Sequence, residues 1–359
     1  MHEIKKCDAW VTNSHAQNTQ EEPLRLLVDW VTCSFYFTST LADLKAMIGL
    51  AELDFITESG ARYKGYVKTH SSGAIEILES EDSKFMLNFR GQACRLYEEN
   101  SKISWVQLFA MLIEYYGAKF TRLDIAIDDF TGIYQVSTIR QAVYKGLCVT
   151  RLKEWGNNER GLIEKGYDGL LMDSFYLGGS TSRYHLNIYD KKLEREGKGK
   201  EVTEESWTRT EVRFKNEYAT NFATIISKGN QSIGYYVTSF LNEKIQFLKP
   251  GNYTNKSRSA KDLNNISRWW KRFLGNAGKL NLSLQAPDRT LDDVKEWLVD
   301  KISPSIAMVY EDNPEEILEF LNGLILNGRQ KFNTKHYSIL ENAQKNKNDL
   351  NHSKYDLSH

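Results

Sequence analysis

The chain has 359 residues, of which 26% are charged, a length for which about two domains are expected. Lys plus Arg and Asp plus Glu both number 47, so attraction to a polyanion must come from local charge placement and not from net charge. The four cysteines include no CxxC pair, which argues against a zinc ribbon and a disulfide framework. No apolar run reaches the roughly 20 residues of a membrane span, and no signal-peptide core is present, so we expect a cytoplasmic protein.

The N-terminal part of the chain predicts an α+β fold. Residues 1–22 are polar and aperiodic and are predicted to form a flexible tail. A strand is expected at 24–37 and a short helix at 41–49. Glycine or charged turns then separate three short candidate strands at 63–70, 74–80 and 85–91, a pattern typical of an antiparallel meander. Helical spacing with a terminal glycine predicts a buried helix at 105–117.

Three further segments alternate between apolar and polar residues, and no internal repeat is visible. They are AKFTRLDIAIDDF (118–130), RYHLNIYDKK (183–192) and WTRTEVRFK (207–215). A helix is expected at 137–146 and a loop over the sheet at 151–169. We therefore predict a mostly antiparallel sheet with packed helices at 23–248, followed by a basic, mainly helical region at 249–330. A disordered tail is expected at 331–359.

Alternate residues of a strand share a face, and this rule collects ionisable groups. Asp124, Asp128 and Glu211 are predicted to lie on one polar face as hard oxygen ligands, which suit Mg²⁺ or Mn²⁺. The same face receives His185, Tyr189, Arg209 and Arg213, with Arg183 at the start of its strand. Alternating charges can equally form a solvated sheet surface.

The proposed chemistry on that face is phosphodiester transfer to a tyrosine. Tyr189 can attack phosphorus and keep the bond energy in a phosphotyrosine link, while arginines carry the phosphate charge. A phenol has a pKa near 10, so a general base or a nearby cation must favour its deprotonation at neutral pH. His185 or the metal can do this. The chain has 19 tyrosines, and Tyr184 and Tyr176 are the rival nucleophiles.

The clearest charge asymmetry lies between residues 252 and 279. This stretch contains a single acidic residue, Asp262, and seven basic residues, namely Lys256, Arg258, Lys261, Arg268, Lys271, Arg272 and Lys279. Such a patch predicts salt-dependent DNA binding, with Trp269 as a stacking surface. Adjacent helical residues point about 100° apart, so at least one of Trp269 and Trp270 is expected to pack inward.

The segment 288–328 reads as two or three amphipathic helices with an acidic face, typical of self-association, as in a homodimer, or of a partner surface. No GxxxxGK[ST] loop occurs, so strand separation is expected to need a separate helicase or coupling protein.

Several segments resemble the replication initiation factor family, which includes rolling-circle plasmid initiators and MobT-type conjugative relaxases of Gram-positive bacteria. They are DWVTCSF (29–35), FTRLDIAIDD (120–129), FYLGGSTSRYHLNIYDKKLE (175–194), WTRTEVRFK (207–215) and SRWWKRFLG (267–275). The resemblance implies a site-specific enzyme that nicks and joins one DNA strand at an origin. It also implies a catalytic tyrosine at Tyr189 and acidic metal ligands in the segments holding Asp124 or Asp128 and Glu211. No His-x-His pair of the other large class of nicking enzymes is present.

Two other readings stay open. The chain can be an origin-binding regulator that has lost catalysis, or a metal-dependent nuclease that activates water without a covalent link. Among nicking enzymes, the sequence does not separate a plasmid initiator from a conjugative relaxase, although length and the 267–275 segment favour the relaxase.

Overall fold

A computed structural model describes residues 24–60, 63–164, 169–251, 265–280, 282, 291–332, 336–337, 339–340 and 343–344. Its centre is one ten-stranded sheet in the order β2-β3-β4-β5-β1-β6-β11-β10-β9-β8, in which each neighbouring pair is antiparallel. The strands are β1 (Leu24–Tyr36), β2 (Ile56–Ser59), β3 (Lys68–Ser72), β4 (Ile75–Glu79), β5 (Lys84–Arg90), β6 (Lys119–Asp129), β8 (Trp155–Gly161), β9 (Leu170–Leu177), β10 (Tyr184–Asp190) and β11 (Thr208–Lys215). A separate two-stranded ribbon pairs β7 (Cys148–Thr150) with β12 (Ile245–Phe247). The predicted α+β fold with a mostly antiparallel sheet is confirmed.

Eleven helices lie in the described part of the chain. They are α1 (Leu41–Met47), α2 (Gln92–Asn100), α3 (Trp105–Tyr116), α4 (Val136–Tyr144), α5 (Lys191–Glu196), α6 (Glu217–Lys228), α7 (Ile233–Lys244), α8 (Arg268–Ala277), α9 (Leu291–Trp297), α10 (Ser303–Asp312) and α11 (Ile317–Gln330), with a π-helical turn at Leu298–Ile302. The predicted helix at 105–117 is α3. It begins with a capping box at Ser104 and ends at Gly117, whose φ of 58° suits glycine.

The sheet consists of two halves with the same order of elements. In the first half, β1 is followed by helix α1, the meander β2 to β5, and helices α2 and α3. In the second half, β6 is followed by α4, the strands β8 to β11, and α6, with β7 and α5 as additions. Because β1 and β6 pair antiparallel at the centre, each half extends outward from them in the same way.

One face of the sheet carries the hydrophobic core. Leu123, Ile125 and Ile127 of β6 are fully buried on it, and the buried residues of α1 to α4 and α6 to α8 join the same cluster. The opposite face carries the alternate residues of the strands, many of them ionisable. We call this surface the open face. The helices with buried residues pack on the other side, whereas the central side chains of the open face, Asp124, Asp128, Arg209 and Glu211, are buried by one another and their neighbours.

One local prediction needs correction. Part of the expected loop at 151–169 forms the edge strand β8, since residues 155–161 find β9 as a backbone partner despite their polar composition. Helix α7 ends at Lys244, and the next residues, Ile245–Phe247, pair with β7.

Helix α8 packs against the sheet. Trp270, Phe273 and Ala277 belong to the main buried cluster, and Leu282 forms a backbone bridge with Leu26 of β1. The described portion of the predicted C-terminal region therefore shares its core with the sheet as far as residue 282. Helices α10 and α11 contribute no buried residue. Among the described helices, none combines the length and apolar character that crossing a membrane requires.

Candidate functional site

Strand register brings the predicted site residues into rows on the open face. One row runs across Arg25 of β1, Asp128 of β6, Arg209 of β11 and Tyr189 of β10, each paired with the next. Two residues along β11, Glu211 faces Ala126 on one side and Asn187 on the other. Tyr189 and Glu211 are thus diagonal neighbours on adjacent strands, a spacing that long side chains can bridge.

The Tyr189 hydroxyl donates a hydrogen bond to Glu211 Oε1, at 2.7 Å. Burial raises the pKa of Tyr189 well above its usual value, and the negative charge of Glu211 raises it further. Burial also raises the pKa of Glu211, to about 7, with Asp29 adding to the effect. A carboxyl group with a pKa near neutrality, in contact with a phenol, can accept its proton.

Asp128 and Arg209 form the buried foundation of this site. The guanidinium of Arg209 donates to both oxygens of Asp128, at 2.6 and 3.0 Å, and Arg25 donates to Oδ2 at 3.0 Å. Burial alone would raise the pKa of Asp128, but the charges of Arg209 and Arg25 outweigh it and lower this pKa to about 2. The Asp128 carboxylate is therefore ionised at neutral pH, and it holds the side chains of Arg209 and Arg25 in place.

Two residues without a role in the sequence analysis also lie at this site. Asp29 accepts a hydrogen bond from Arg209 Nη1, at 3.1 Å. Lys191, the first residue of α5, places its ammonium 5.4 Å from the centre of the Tyr189 ring. Asp29 occupies a β-bulge, between Val28 and Trp30, where β1 has one residue more than β6. Asp29 is present in the sequence segment DWVTCSF, but the sequence does not show the bulge that directs its side chain towards the site.

The three predicted metal ligands do not meet at one point. Asp124 and Asp128 are four residues apart on β6, roughly 13 Å along a strand, and Glu211 lies opposite Ala126 between them. Asp124 is also held by Arg122 and Arg213, as Asp128 is by its arginines. Among the described residues, no group of three His, Cys, Asp or Glu side chains is placed to hold a metal ion. Of the carboxylates near Glu211, Asp29 raises its pKa more than Asp124 does.

His185 lies away from the Tyr189 hydroxyl. It faces Arg213 and stacks on the Tyr176 ring, with the ring centres 5.2 Å apart. Burial and, to a smaller extent, the charges of Arg213, Lys215 and Arg122 together lower the pKa of His185 to about 4, so the ring is neutral at pH 7. The structure therefore places Glu211, and not His185, against the candidate nucleophile.

The rival tyrosines have other surroundings. Tyr184 points to the core, where it packs against Tyr218 and Phe240. Tyr176 lies on the open face, and its ring covers Gly156 so closely that a Cβ there would be 2.0 Å from it. Neither tyrosine has a carboxylate against its hydroxyl among the bonds of the described residues.

The predicted DNA-binding stretch is only partly described. Lys256, Arg258, Lys261 and Asp262 lie outside the described residues. Arg268, Lys271 and Arg272 are exposed along α8. Trp270 is fully buried, whereas Trp269 is half-buried, with its ring 5.2 Å from that of Tyr134 and 5.1 Å from that of Phe247. The expectation that at least one of the two tryptophans packs inward is met by Trp270.

The fold and this polar face agree with what comparison with known proteins shows. A family model described as "Replication initiation factor" matches residues 118–325, more than half of the chain. The chain belongs to the replication initiation factor family. A second model, "Rolling Circle replication initiation protein N-terminal domain", matches residues 25–111 of this family member. The two matches meet near the boundary between the two halves of the sheet.

Two relatives of this chain support the family assignment. A Bacillus subtilis (strain 168) protein named "Putative DNA relaxase NicK" is 26% identical over 299 residues, which cover 81% of this chain and 82% of that protein. A solved structure of a rolling circle replication initiator protein from Geobacillus stearothermophilus matches with a TM-score of 0.64 and 26% identity, over 73% of this chain and 99% of that one. The resemblance drawn from the sequence segments is confirmed at the level of the family.

Proposed function

We propose that this protein is a DNA relaxase or rolling-circle replication initiator that nicks and rejoins one strand of an origin through Tyr189. The observation that carries the proposal is the contact between Tyr189 and Glu211 on the open face, beside the charged pair of Arg209 and Asp128. Family membership and the names of the two relatives support DNA nicking as the general activity.

The chemical step is a transesterification. The Tyr189 oxygen attacks the phosphorus of one phosphodiester, a bond from phosphorus to that oxygen forms, and one bond to a deoxyribose oxygen breaks. Glu211 takes the phenolic proton, and the departing deoxyribose oxygen takes a proton from water and leaves as a hydroxyl. Attack of a DNA hydroxyl on the phosphotyrosine reverses the step, so no external energy source is needed for rejoining.

Cations near the phenol make this step feasible. The positive charge of Arg209 opposes the rise in the pKa of Tyr189, and Lys191 lies over the ring. Arg213, with about a quarter of its side chain exposed, is available to a phosphate of the DNA. Asp128 keeps Arg209 in place by its two hydrogen bonds.

A divalent metal fits the acidic pair of Asp29 and Glu211. Burial raises the pKa of Glu211 and the charge of Asp29 raises it further, and a bound cation would oppose both effects. Mg²⁺ and Mn²⁺ bind one or two carboxylates and complete their coordination with water and phosphate oxygens. When bound there, the ion would neutralise charge on the phosphate under attack. Asp124 would add negative charge from a second row of the face.

The test is a cleavage assay with labelled single-stranded oligonucleotides tiled across the replicon that encodes the protein. With Mn²⁺, we expect a cut and a covalent adduct that survives denaturing electrophoresis, and EDTA should abolish both. Tyr189→Phe should abolish the adduct, and Tyr176→Phe is the matched control that should retain it. Glu211→Gln, which keeps the size but not the basicity, should slow adduct formation by a factor of 10²–10⁴.

The other readings correspond to other outcomes. Cutting that survives Tyr189→Phe without an adduct would mean that water is the nucleophile. Binding without any cutting would mean an origin-binding regulator. The helicase or coupling protein remains a proposal based on the missing nucleotide-binding loop.

A further inference from the structure

A second set of basic and aromatic side chains lies on the open face, away from Tyr189. It consists of Arg90 of β5, Trp30 of β1, Arg122 of β6, and Arg213 and Lys215 of β11. Register places Trp30 opposite Arg90 and Asp124, and Asp124 opposite Arg213. Arg122 is opposite Lys215 in the adjoining row. We call these five residues the arginine–tryptophan strip.

The indole of Trp30 holds two guanidinium groups in place. The Arg122 carbon Cζ lies 3.4 Å from the ring centre, and that of Arg90 lies 5.0 Å from it. The two arginines come from the strands on either side of β1, so Trp30 lies between them. The ring is itself oriented by a hydrogen bond from Nε1 to Thr32 Oγ1, at 2.8 Å. Stacking of this kind leaves the edge of a guanidinium able to hydrogen-bond, and part of each edge is used within the protein. Arg122 donates from Nε and Nη2 to Asp124, and Arg90 donates from Nε to Asn88 and from Nη2 to Tyr63.

Positive charge is in excess along the strip, because its four cations lie against two carboxylates, that of Asp124 and that of Glu76, which is 3.9 Å from Arg90. Arg122 and Arg213 both pair with one carboxylate, that of Asp124. Lys215 Nζ donates to the carbonyl of Ser180, a neutral group. Burial lowers the pKa of Lys215, and Arg213 and Arg122 lower it further, with only Asp124 opposing them among the groups that act on it. Anions bound here would relieve this repulsion.

The strip is continuous with the candidate active site. From β10, which carries Tyr189, to β1, which carries Trp30, three strand spacings amount to roughly 14 Å. Along the strands, the Trp30 row coincides with His185, four residues from Tyr189. A single DNA strand is long enough to occupy both places at once.

We propose that the arginine–tryptophan strip is a subsite for the phosphates of single-stranded DNA on one side of the nick. It spans both halves of the sheet, with Arg90 and Trp30 on the first half and Arg122, Arg213 and Lys215 on the second. The strip would hold the strand that Tyr189 cuts. This inference rests on the proposed function, since it takes the scissile phosphate to lie at Tyr189.

The experiment measures binding of the full-length protein to fluorescein-labelled oligothymidylate over a range of salt concentrations. The variant Arg90→Gln/Lys215→Gln should bind roughly five- to ten-fold more weakly. For single-stranded DNA, each phosphate contact contributes about 0.7 to the slope of log K against the logarithm of the salt concentration. Removal of two contacts should therefore lower this salt slope by roughly 1.4. The control pair Lys102→Gln/Lys228→Gln removes the same charge from exposed positions elsewhere and should leave the slope unchanged.

A charge-retaining variant separates binding from folding. Arg90→Lys/Lys215→Arg should keep most of the salt slope, whereas misfolding would lower affinity without regard to charge. In the cleavage assay, the glutamine pair should lose affinity only for oligonucleotides that extend on one side of the nick, with the rate at saturating DNA unchanged. Equal losses in the strip and control pairs, or an unchanged salt slope, would overturn the subsite. If the wild-type protein itself does not cut DNA in this assay, the proposed function is overturned instead.

Discussion

His185 shows how the surroundings of one side chain determine its chemistry. It was a candidate activator of Tyr189, since both residues lie on the polar side of β10. In the structure, its ring packs on Tyr176, its Nδ1 is buried without a hydrogen-bond partner in the described part of the chain, and three cations lie nearby. All of these features favour the neutral ring. His185 therefore acts as an uncharged packing group at neutral pH.

The pH dependence of stability tests this assignment. The pKa of His185 is about 4 in the folded protein, below the ordinary value of about 6.5, so the unfolded chain binds the proton more tightly. The contribution of the neutral His185 ring to the unfolding free energy is therefore complete above pH 6.5, and it is lost as the pH falls towards 4. The full shift corresponds to ~3 kcal/mol, and solvent screening of the partly exposed ring reduces the expected loss to about 1 kcal/mol.

Urea unfolding of the wild type and of His185→Gln between pH 4 and pH 7 provides the measurement. As the pH falls, the unfolding free energy of the wild type should decrease relative to that of the variant. Parallel curves over this range would show that the ring titrates equally in the folded and unfolded states.

At the scale of secondary structure, the bulge in β1 is the feature that builds the acidic pair. Without the extra residue, strict alternation would place Asp29 and Trp30 on opposite faces. The bulge lets both residues face the open side, where Asp29 meets Arg209 and Trp30 meets Arg122. A local irregularity in one strand thus serves both the candidate metal site and the arginine–tryptophan strip.

Replacement of Asp29 should weaken metal binding. Asp29→Asn keeps the size of the side chain but removes one of the two carboxylates, and we expect the affinity for Mn²⁺ to fall by about 10-fold or more. The measurement is a titration of Mn²⁺ followed by the electron paramagnetic resonance signal of the free ion. Asp54→Asn, at an exposed position between α1 and β2, is the control. An equal effect of the two variants, or none, would place the metal elsewhere.

At the scale of the molecule, the core extends beyond the predicted boundary at residue 249. Trp270 is fully buried against Phe247 and Phe273, with its indole Nε1 donating to the carbonyl of Ile245. Helix α8 also meets Tyr134, whose hydroxyl bonds Thr210 of β11. The described residues 265–280 and 282 therefore contribute to the stability of the sheet that carries the candidate site.

Alanine variants of the adjacent tryptophans test this arrangement. Trp270→Ala should lower the unfolding free energy of the whole sheet by about 3–5 kcal/mol, since it removes a fully buried aromatic ring. Trp269→Ala, at the half-buried neighbour, should cost clearly less. Denaturant unfolding followed by far-ultraviolet circular dichroism would show a single shifted transition. A transition of the sheet that does not move would mean that residues after 249 fold as a separate domain.

The sequence by itself determined the fold class, the main strands and the face on which the ionisable residues lie. Strand alternation is a local property, so Arg209, Glu211 and Tyr189 could be assigned to one side before any partner strand was known. The helix α3 could be predicted for the same reason, because its caps and apolar spacing are encoded within one segment. The ordered family segments identified the family without any of this geometry.

Only the tertiary structure decided which of these residues meet. The order of the strands places Glu211 at the Tyr189 hydroxyl and spreads Asp124 and Asp128 along β6, and pairing between distant segments is not visible in either strand alone. The bulge at Asp29 and the edge strand β8 likewise depend on a partner's register. The equivalence of the two halves appears only in strand order, because the sheet preserves topology where the sequence shows no repeat.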